Sequence, residues 1–176
     1  MSDTDEVQEI MRIRSAWSIG AGTVVVDQER VLLVRNRYGV TKGRYLLPAG
    51  RVKIGELPDR AAERETLEET GLRVSVTGLL GVRIWAQESG EHNYFFMFAA
   101  TLLSLASELR PNLDEIDDAR FFSRTELAAL GPEETWAGAV AIAYKALDGQ
   151  ASAWPNDAAL SSDSGVATPE RWRIWM

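Results

Sequence analysis

The stretch that most constrains this chain is Pro58–Thr70 (PDRAAERETLEET), where three glutamates recur at helical spacing. Proline is preorganised for a first helical position, Asp59 complements the positive end of a helix, and Gly71 supplies a stop. The pattern predicts a helix over 58–70, with Leu57 at the N-cap position and no side-chain acceptor there. Glu65, Glu68 and Glu69 stand at i, i+3 and i+4, within about a 100° arc of one face. Like charges at that spacing cost roughly 0.2–0.5 kcal/mol per pair, and no lysine lies on the stripe to offset them. Ala61 and Ala62, on the same side, let the helix approach other backbone closely. One reading is a solvated acidic face. The other is a set of hard oxygen ligands that draws a cation from solution.

Composition narrows the chemistry. The chain has no cysteine, which removes disulfides, Cys–Zn sites and thiol nucleophiles. His92 is the only histidine, so a histidine-rich metal site is excluded, and no G-x-S-x-G elbow accompanies it. The metals left open are those that favour oxygen: Mg²⁺, Mn²⁺ or Ca²⁺. A formal net charge of −7 gives no general attraction for nucleic acid or anionic lipid, so an anionic substrate needs local help from a metal or a few arginines. At 176 residues, 45% apolar and 26% charged, the chain fits one soluble domain better than two.

Along the chain, residues 1–11 read as a frayed polar lead without targeting character. Residues 17–26 and 31–35 read as a hairpin across Asp27-Gln28-Glu29-Arg30. A basic loop follows at 37–44, then a short strand, Tyr45-Leu46-Leu47, ended by Pro48 and Gly50. After the acidic helix, 72–85 and 93–103 read as two long strands, 110–118 as an acidic loop and 119–122 as a last strand. Helices are expected at 125–130 and 132–147, broken by Gly131-Pro132. The domain is placed at 1–147. Residues 148–176 read as a mobile tail, rich in Ala, Ser, Asp and Gly as far as Thr168, whose end, Arg171-Trp172-Arg173-Ile174-Trp175, docks on the domain or on a neighbouring subunit. No apolar stretch is long enough to cross a bilayer, and the expected location is cytoplasmic.

The segment 50–72, GRVKIGELPDRAAERETLEETGL, resembles the Nudix box, G-x5-E-x7-R-E-U-x-E-E-x-G-U with U aliphatic. Gly50, Glu56, Arg64, Glu65, Glu68, Glu69 and Gly71 fill its fixed positions, and Leu72 its last aliphatic one. Chance agreement at seven such positions is on the order of 10⁻⁸ per window from average residue usage. Thr66 departs from the other aliphatic position. The entry Tyr45-Leu46-Leu47-Pro48-Ala49-Gly50 is similar to the family's frequent W-x-L-P-G-G, and Asp114-Glu115-Ile116 with Ala119-Arg120-Phe121-Phe122 resembles its later acidic loop and strand.

The resemblance implies an α/β fold, a Nudix-type α/β/α sandwich with a mixed sheet. It implies a Mg²⁺-dependent pyrophosphohydrolase, with Mn²⁺ as the other candidate ion. The ligand set it implies is the Gly50 carbonyl with Glu65, Glu68 and Glu69. Glu65 or Glu115 would be the base. Arg64 and Glu56 would form an ion pair that ties loop to helix. Arg35, Arg37 and Arg44 are the candidate substrate contacts, Arg35 foremost, with Lys42 in the same basic loop. Tyr45 and Trp85 offer stacking surfaces if they are not core, and His92 reads as turn surface. The expected substrate is a nucleoside diphosphate-linked or nucleoside triphosphate molecule, of the oxidised guanine nucleotide or ADP-ribose type. No nucleic-acid or membrane partner is expected, and homodimerisation is left open. The rival is a Nudix-fold nucleotide sensor without catalysis, a class that commonly loses a box carboxylate; none is missing here.

Overall fold

A computed structural model describes residues 17–86 and 90–149 in full and residues 172–175 by their backbone. Strands β1 (Trp17–Asp27) and β2 (Arg30–Asn36) form the expected hairpin. Asp27 pairs with Arg30, so the turn is only Gln28-Glu29, at φ 46° and 60°. Two successive left-handed residues match the twist of a tight hairpin, although Asn-Gly is the usual choice there.

Strands β3 (Tyr45–Leu46), β4 (Ala49–Arg51), β5 (Val74–Ala86), β6 (His92–Leu102), β7 (Ile116–Ser123) and β8 (Trp172–Trp175) complete a mixed sheet of order β3-β2-β1-β6-β5-β8, with β4 on β1 and β7 on β2. The parallel pair is β1 with β6, from Trp17↔His92 to Val25↔Ala100. Alternation along β1 sends Ala21, Thr23 and Val25 to one face and Val24 to the other. The first face packs against helix α1 (Pro58–Thr70), through Ala61, Ala62 and Phe98 around Ala21, and through Leu32, Leu72, Val74 and Ala100 around Val25. The second face gathers Val31, Leu33, Tyr45, Leu47, Met97 and Phe122 under Leu127, Ile142 and Ala143 of helices α2 (Arg124–Ala129) and α3 (Ala137–Leu147). The result is an α/β/α sandwich. Each fully buried Leu, Ile or Phe in these layers contributes about 1.5–3 kcal/mol.

Helix α1 has the expected bounds, with no side-chain cap at Leu57 and a left-handed Gly71 at φ 72° whose N–H closes on the Leu67 carbonyl. Thr66, in place of an aliphatic residue, is fully buried. Its hydroxyl lies 2.6 Å from the Thr23 hydroxyl on β1 and 2.8 Å from the Ala62 carbonyl. The departure is therefore matched by a second polar residue on the facing strand, and neither buried hydroxyl lacks a partner.

Several boundaries differ from expectation. Ala49–Arg51 is a strand rather than the end of one, because its backbone pairs with residues 20–22 of β1. β7 starts at Ile116, three residues earlier than expected, through pairing with β2. α3 starts at Ala137 rather than at residue 132. The intervening backbone serves β3 instead: the Tyr45 N–H donates to the Glu134 carbonyl at 2.7 Å, and the Thr135 hydroxyl donates to the Tyr45 carbonyl at 2.8 Å. His92 opens β6 instead of sitting in a turn, and its ring stacks on Trp17 at 4.6 Å. The polar lead at 1–11 and the tail from 150 to 171 lie outside the described residues. Beyond them, β8 pairs antiparallel with β5, from Trp85↔Trp172 to Val82↔Trp175. No described helix is long and apolar enough to cross a membrane.

Candidate active site

The pairing of β4 with β1 fixes Gly50 under α1, opposite Ala21. A β-carbon added at Gly50 would fall inside the Glu65 carboxylate. Only glycine lets backbone and carboxylate approach this closely, and the contact seats the Gly50 backbone against the Glu65 carboxylate.

Arg64 organises the cluster. Its Nε donates to Glu56 Oε1 at 2.7 Å and its second terminal nitrogen to Glu56 Oε2 at 2.9 Å, a two-point pair that pins the 52–57 loop to the helix. The other terminal nitrogen donates to Glu65 Oε1 at 2.7 Å and Glu68 Oε2 at 2.8 Å. Lys53 Nζ lies 3.8 Å from Glu68 Oε1. The sequence reading of three glutamates with no cation beside them is thus corrected, because a guanidinium on the helix itself reaches two of the three. The Arg64 hydrogen bonds and the Lys53 N–H hold Glu56 down to about 2. That depressed value makes the pair stabilising above the ordinary carboxylate range, and the contribution fades as pH falls through about 2. Arg64→Ala is expected to lower Tm by roughly 2–6 °C at pH 7. The gap to wild type should narrow at pH 2–3 in circular dichroism melts. Equal melting at pH 7 would mean that the pair holds nothing.

Glu69 is the buried member, 7% exposed, and its Oε2 accepts the Ala49 N–H at 2.9 Å. Burial, against the Ala49 hydrogen bond and with added repulsion from Glu65, Glu115 and Glu68, pushes its carboxyl up to about 8. Burial also raises Glu65, opposed by Arg64. Glu115 reaches this cluster because the acidic loop is tied to the end of α1: Arg110 N–H donates to the Thr70 carbonyl at 2.8 Å and Asn112 N–H to the Glu69 carbonyl at 3.0 Å.

Among the described residues no three carboxylates stand ready around one point. Glu65 and Glu68 are turned to Arg64, and Glu69 to Ala49. The donor set nevertheless fits a hard divalent ion. It is all oxygen, and a cation would relieve the burial and mutual repulsion that disfavour the charged form of Glu69.

A NUDIX domain model matches residues 17–143. The chain belongs to the NUDIX family. An NAD-capped RNA hydrolase, NudC, of Vibrio vulnificus is 31% identical over 117 residues, 66% of this chain and 43% of that protein. An ADP-ribose pyrophosphatase of Methanocaldococcus jannaschii is 28% identical over 113 residues, 64% of this chain and 66% of that protein. A NUDIX hydrolase structure from Nitrosomonas europaea superposes with a TM-score of 0.62 at 26% identity, covering 73% of this chain and 88% of that one. The chain thus spans under half the length of the NudC relative.

The basic residues expected to meet substrate are dispersed around this NUDIX site. Arg37 donates to the Leu113 carbonyl and lies 3.9 Å from Asp117, so it braces the acidic loop. Arg44 lies 3.9 Å from Glu133, at a cavity of about 530 Å³ lined by Leu130, Trp136 and Tyr144. Arg35 sits over the Tyr45 ring at 5.6 Å. Tyr45 is buried in the core layer, and Trp85 packs partly buried against it. Two further arginines were not singled out as contacts in the sequence. Arg83 on β5 is half-buried, its guanidinium 4.9 Å from the Phe95 ring, and burial lowers its pKa to about 10. Arg120 on β7 lies 5.4 Å from the Tyr45 ring. Both occur in alternating strand patterns, where an arginine reads as a solvent-facing position.

Proposed function

We propose that this NUDIX protein is a divalent-metal-dependent pyrophosphohydrolase that cleaves a nucleoside diphosphate-linked or nucleoside triphosphate substrate. The observation that carries the reading is the close packing of the Gly50 backbone against the Glu65 carboxylate, beside the buried Glu69. Gly50, Glu65, Glu68 and Glu69 would hold Mg²⁺ or Mn²⁺. When bound, the ion supplies charge neutralisation on the diphosphate oxygens and acidifies water.

The chain's own groups account for the rest. Water adds to one phosphorus, the bridging P–O bond breaks, and the departing phosphate keeps the bridging oxygen. The proton of the attacking water passes to a carboxylate. Glu65 is our first choice because burial raises its proton affinity. Glu115, in the loop beside Glu69, is the second. Arg64 positions Glu65 and Glu68 without touching substrate. The names of the relatives favour ADP-ribose and dinucleotide substrates over oxidised guanine nucleotides. They also put NAD-capped oligonucleotide on the test panel, although net charge alone argues against nucleic acid.

The test is a panel of ADP-ribose, NADH, NAD-capped oligonucleotide and 8-oxo-dGTP with Mg²⁺ or Mn²⁺, products separated by chromatography. Turnover is expected with at least one, falling to background in EDTA and returning with either ion. Zn²⁺ should not be required, since neither cysteine nor paired histidines exist to select it. Turnover that survives exhaustive chelation would refute the metal mechanism. Binding without turnover across the panel would favour a sensor.

A further inference from the structure

Helix α1 meets strand β1 through two hydroxyls. Thr23 and Thr66 are both fully buried, and their Oγ1 atoms lie 2.6 Å apart. Thr66 donates its hydroxyl proton to the Ala62 carbonyl at 2.8 Å, so Thr23 is the donor between the pair. Two aliphatic groups cannot come this close, because carbons in contact stand about 3.5–4.0 Å apart. The hydroxyl pair therefore seats the helix about 1 Å nearer the strand than a carbon–carbon contact would allow. Thr66 stands where the box has an aliphatic residue, so this close seating belongs to this chain.

The same two residues join the two halves of the candidate site. On α1, Thr66 directly follows Glu65 and lies one turn before Glu69. On the strand side, the Thr23 N–H donates to the Pro48 carbonyl at 3.0 Å, immediately before Ala49 and Gly50. The halves meet where Glu69 holds the Ala49 N–H at 2.9 Å and the Gly50 backbone packs on the Glu65 carboxylate. Thr23 is thus bonded through its backbone to the strand half and through its side chain to the helix half. The strand half has no slack: a β-carbon added at Gly22 would come 2.6 Å from the Ala49 β-carbon and 2.7 Å from the Pro48 carbonyl oxygen.

We propose that Thr23 and Thr66 are positioning residues, whose hydrogen bond sets the height of α1 over β1 and so brings Glu65 and Glu69 to the Gly50 and Ala49 backbone. Its bearing on metal binding rests on the proposed function. Neither hydroxyl reaches solvent, so both act through the helix and not on substrate. If α1 rose by about 1 Å, it would carry both glutamates away from β4 together, because β4 stays paired to β1. A shift of that size at a reacting group costs up to ~10²-fold in rate.

The test compares Thr66→Val, its conservative counterpart Thr66→Ser, and the double variant Thr23→Val/Thr66→Val. Thr66→Val alone leaves the Thr23 hydroxyl buried without its acceptor, and Tm should fall by roughly 2–8 °C. The double variant removes both hydroxyls at constant shape, and Tm should return close to wild type. Two readouts then separate positioning from stability. One is hydrogen exchange of the Ala49 N–H in metal-free protein, followed by NMR. The other is Mn²⁺ affinity, read from the loss of the free ion's paramagnetic signal. In the double variant Ala49 exchange should be faster and Mn²⁺ binding weaker, each by about tenfold or more, whereas Thr66→Ser keeps both near wild type. Thr23→Val, in which Thr66 keeps its bond to the Ala62 carbonyl, should show the same two changes, so the outcome does not depend on the double variant folding. Wild-type Ala49 protection and wild-type Mn²⁺ affinity in the valine variants would overturn the proposal and leave the pair as a core contact. Faster Ala49 exchange in those variants, in a protein whose wild type binds no Mn²⁺, would remove the metal reading and leave the positioning role standing.

Discussion

Glu65→Gln is expected to lower turnover by about 10²–10⁴, the range for losing a group that takes a proton in the rate-determining step. Glutamine keeps the size of the side chain and an acceptor for Arg64, whose nitrogen sits 2.7 Å from Glu65 Oε1. It removes the charge, and with it the capacity to accept a proton at neutral pH. Glu56 and Glu68 remain to hold Arg64, so circular dichroism and Tm should stay close to wild type. A folded Glu65→Gln protein with wild-type turnover would sink Glu65 as the base. The same loss in Glu115→Gln, with Glu65→Gln unaffected, would transfer the role to the acidic loop.

Gly50→Ala should cost nearly as much through geometry alone. The new methyl would occupy the space of the Glu65 carboxylate. The backbone has little room to retreat, because β4 is paired to residues 20–22 of β1 and the Ala49 N–H is held by Glu69. The glutamate must therefore swing out, breaking its contact with Arg64. A displacement of about 1 Å at a reacting group costs up to ~10²-fold in rate, and the proposed ligand set would be disturbed together with it. Wild type should gain Tm on adding Mg²⁺, as a ligand specific to the folded state requires, while Gly50→Ala should gain little. Equal Mg²⁺-induced shifts, with turnover within threefold, would show that this contact does not build the site.

The helix carrying these glutamates was legible from sequence because every local cue agreed: proline at its start, an acidic first turn, a periodic face and a terminal glycine. The long strands were legible for a similar reason, through their apolar runs between polar turns. What escaped was set by partners distant in sequence. Ala49–Arg51 has no strand signature of its own and is made a strand by β1. The start of α3 was misplaced because Pro132 suits a helix start, whereas the backbone of Glu134 and Thr135 is drawn to Tyr45. In the candidate site, the spacing of Glu65, Glu68 and Glu69 identified the shared face, and the resemblance supplied the pair Arg64–Glu56. The further reach of Arg64 to Glu65 and Glu68 depends on its rotamer, which spacing does not encode. The meeting of the Thr23 and Thr66 hydroxyls depends on how a helix is laid on a strand 43 residues away.

The outermost strand has a consequence for how the protein behaves in concentrated solution. β8 covers residues 82–85 of β5, Val-Arg-Ile-Trp, a run rich in strand formers. Uncovered, that edge would present free N–H and C=O groups beside apolar side chains, a template onto which other molecules add strand by strand. Loss of β8 would then harm colloidal stability more than folding, giving a protein that melts normally yet clouds on storage.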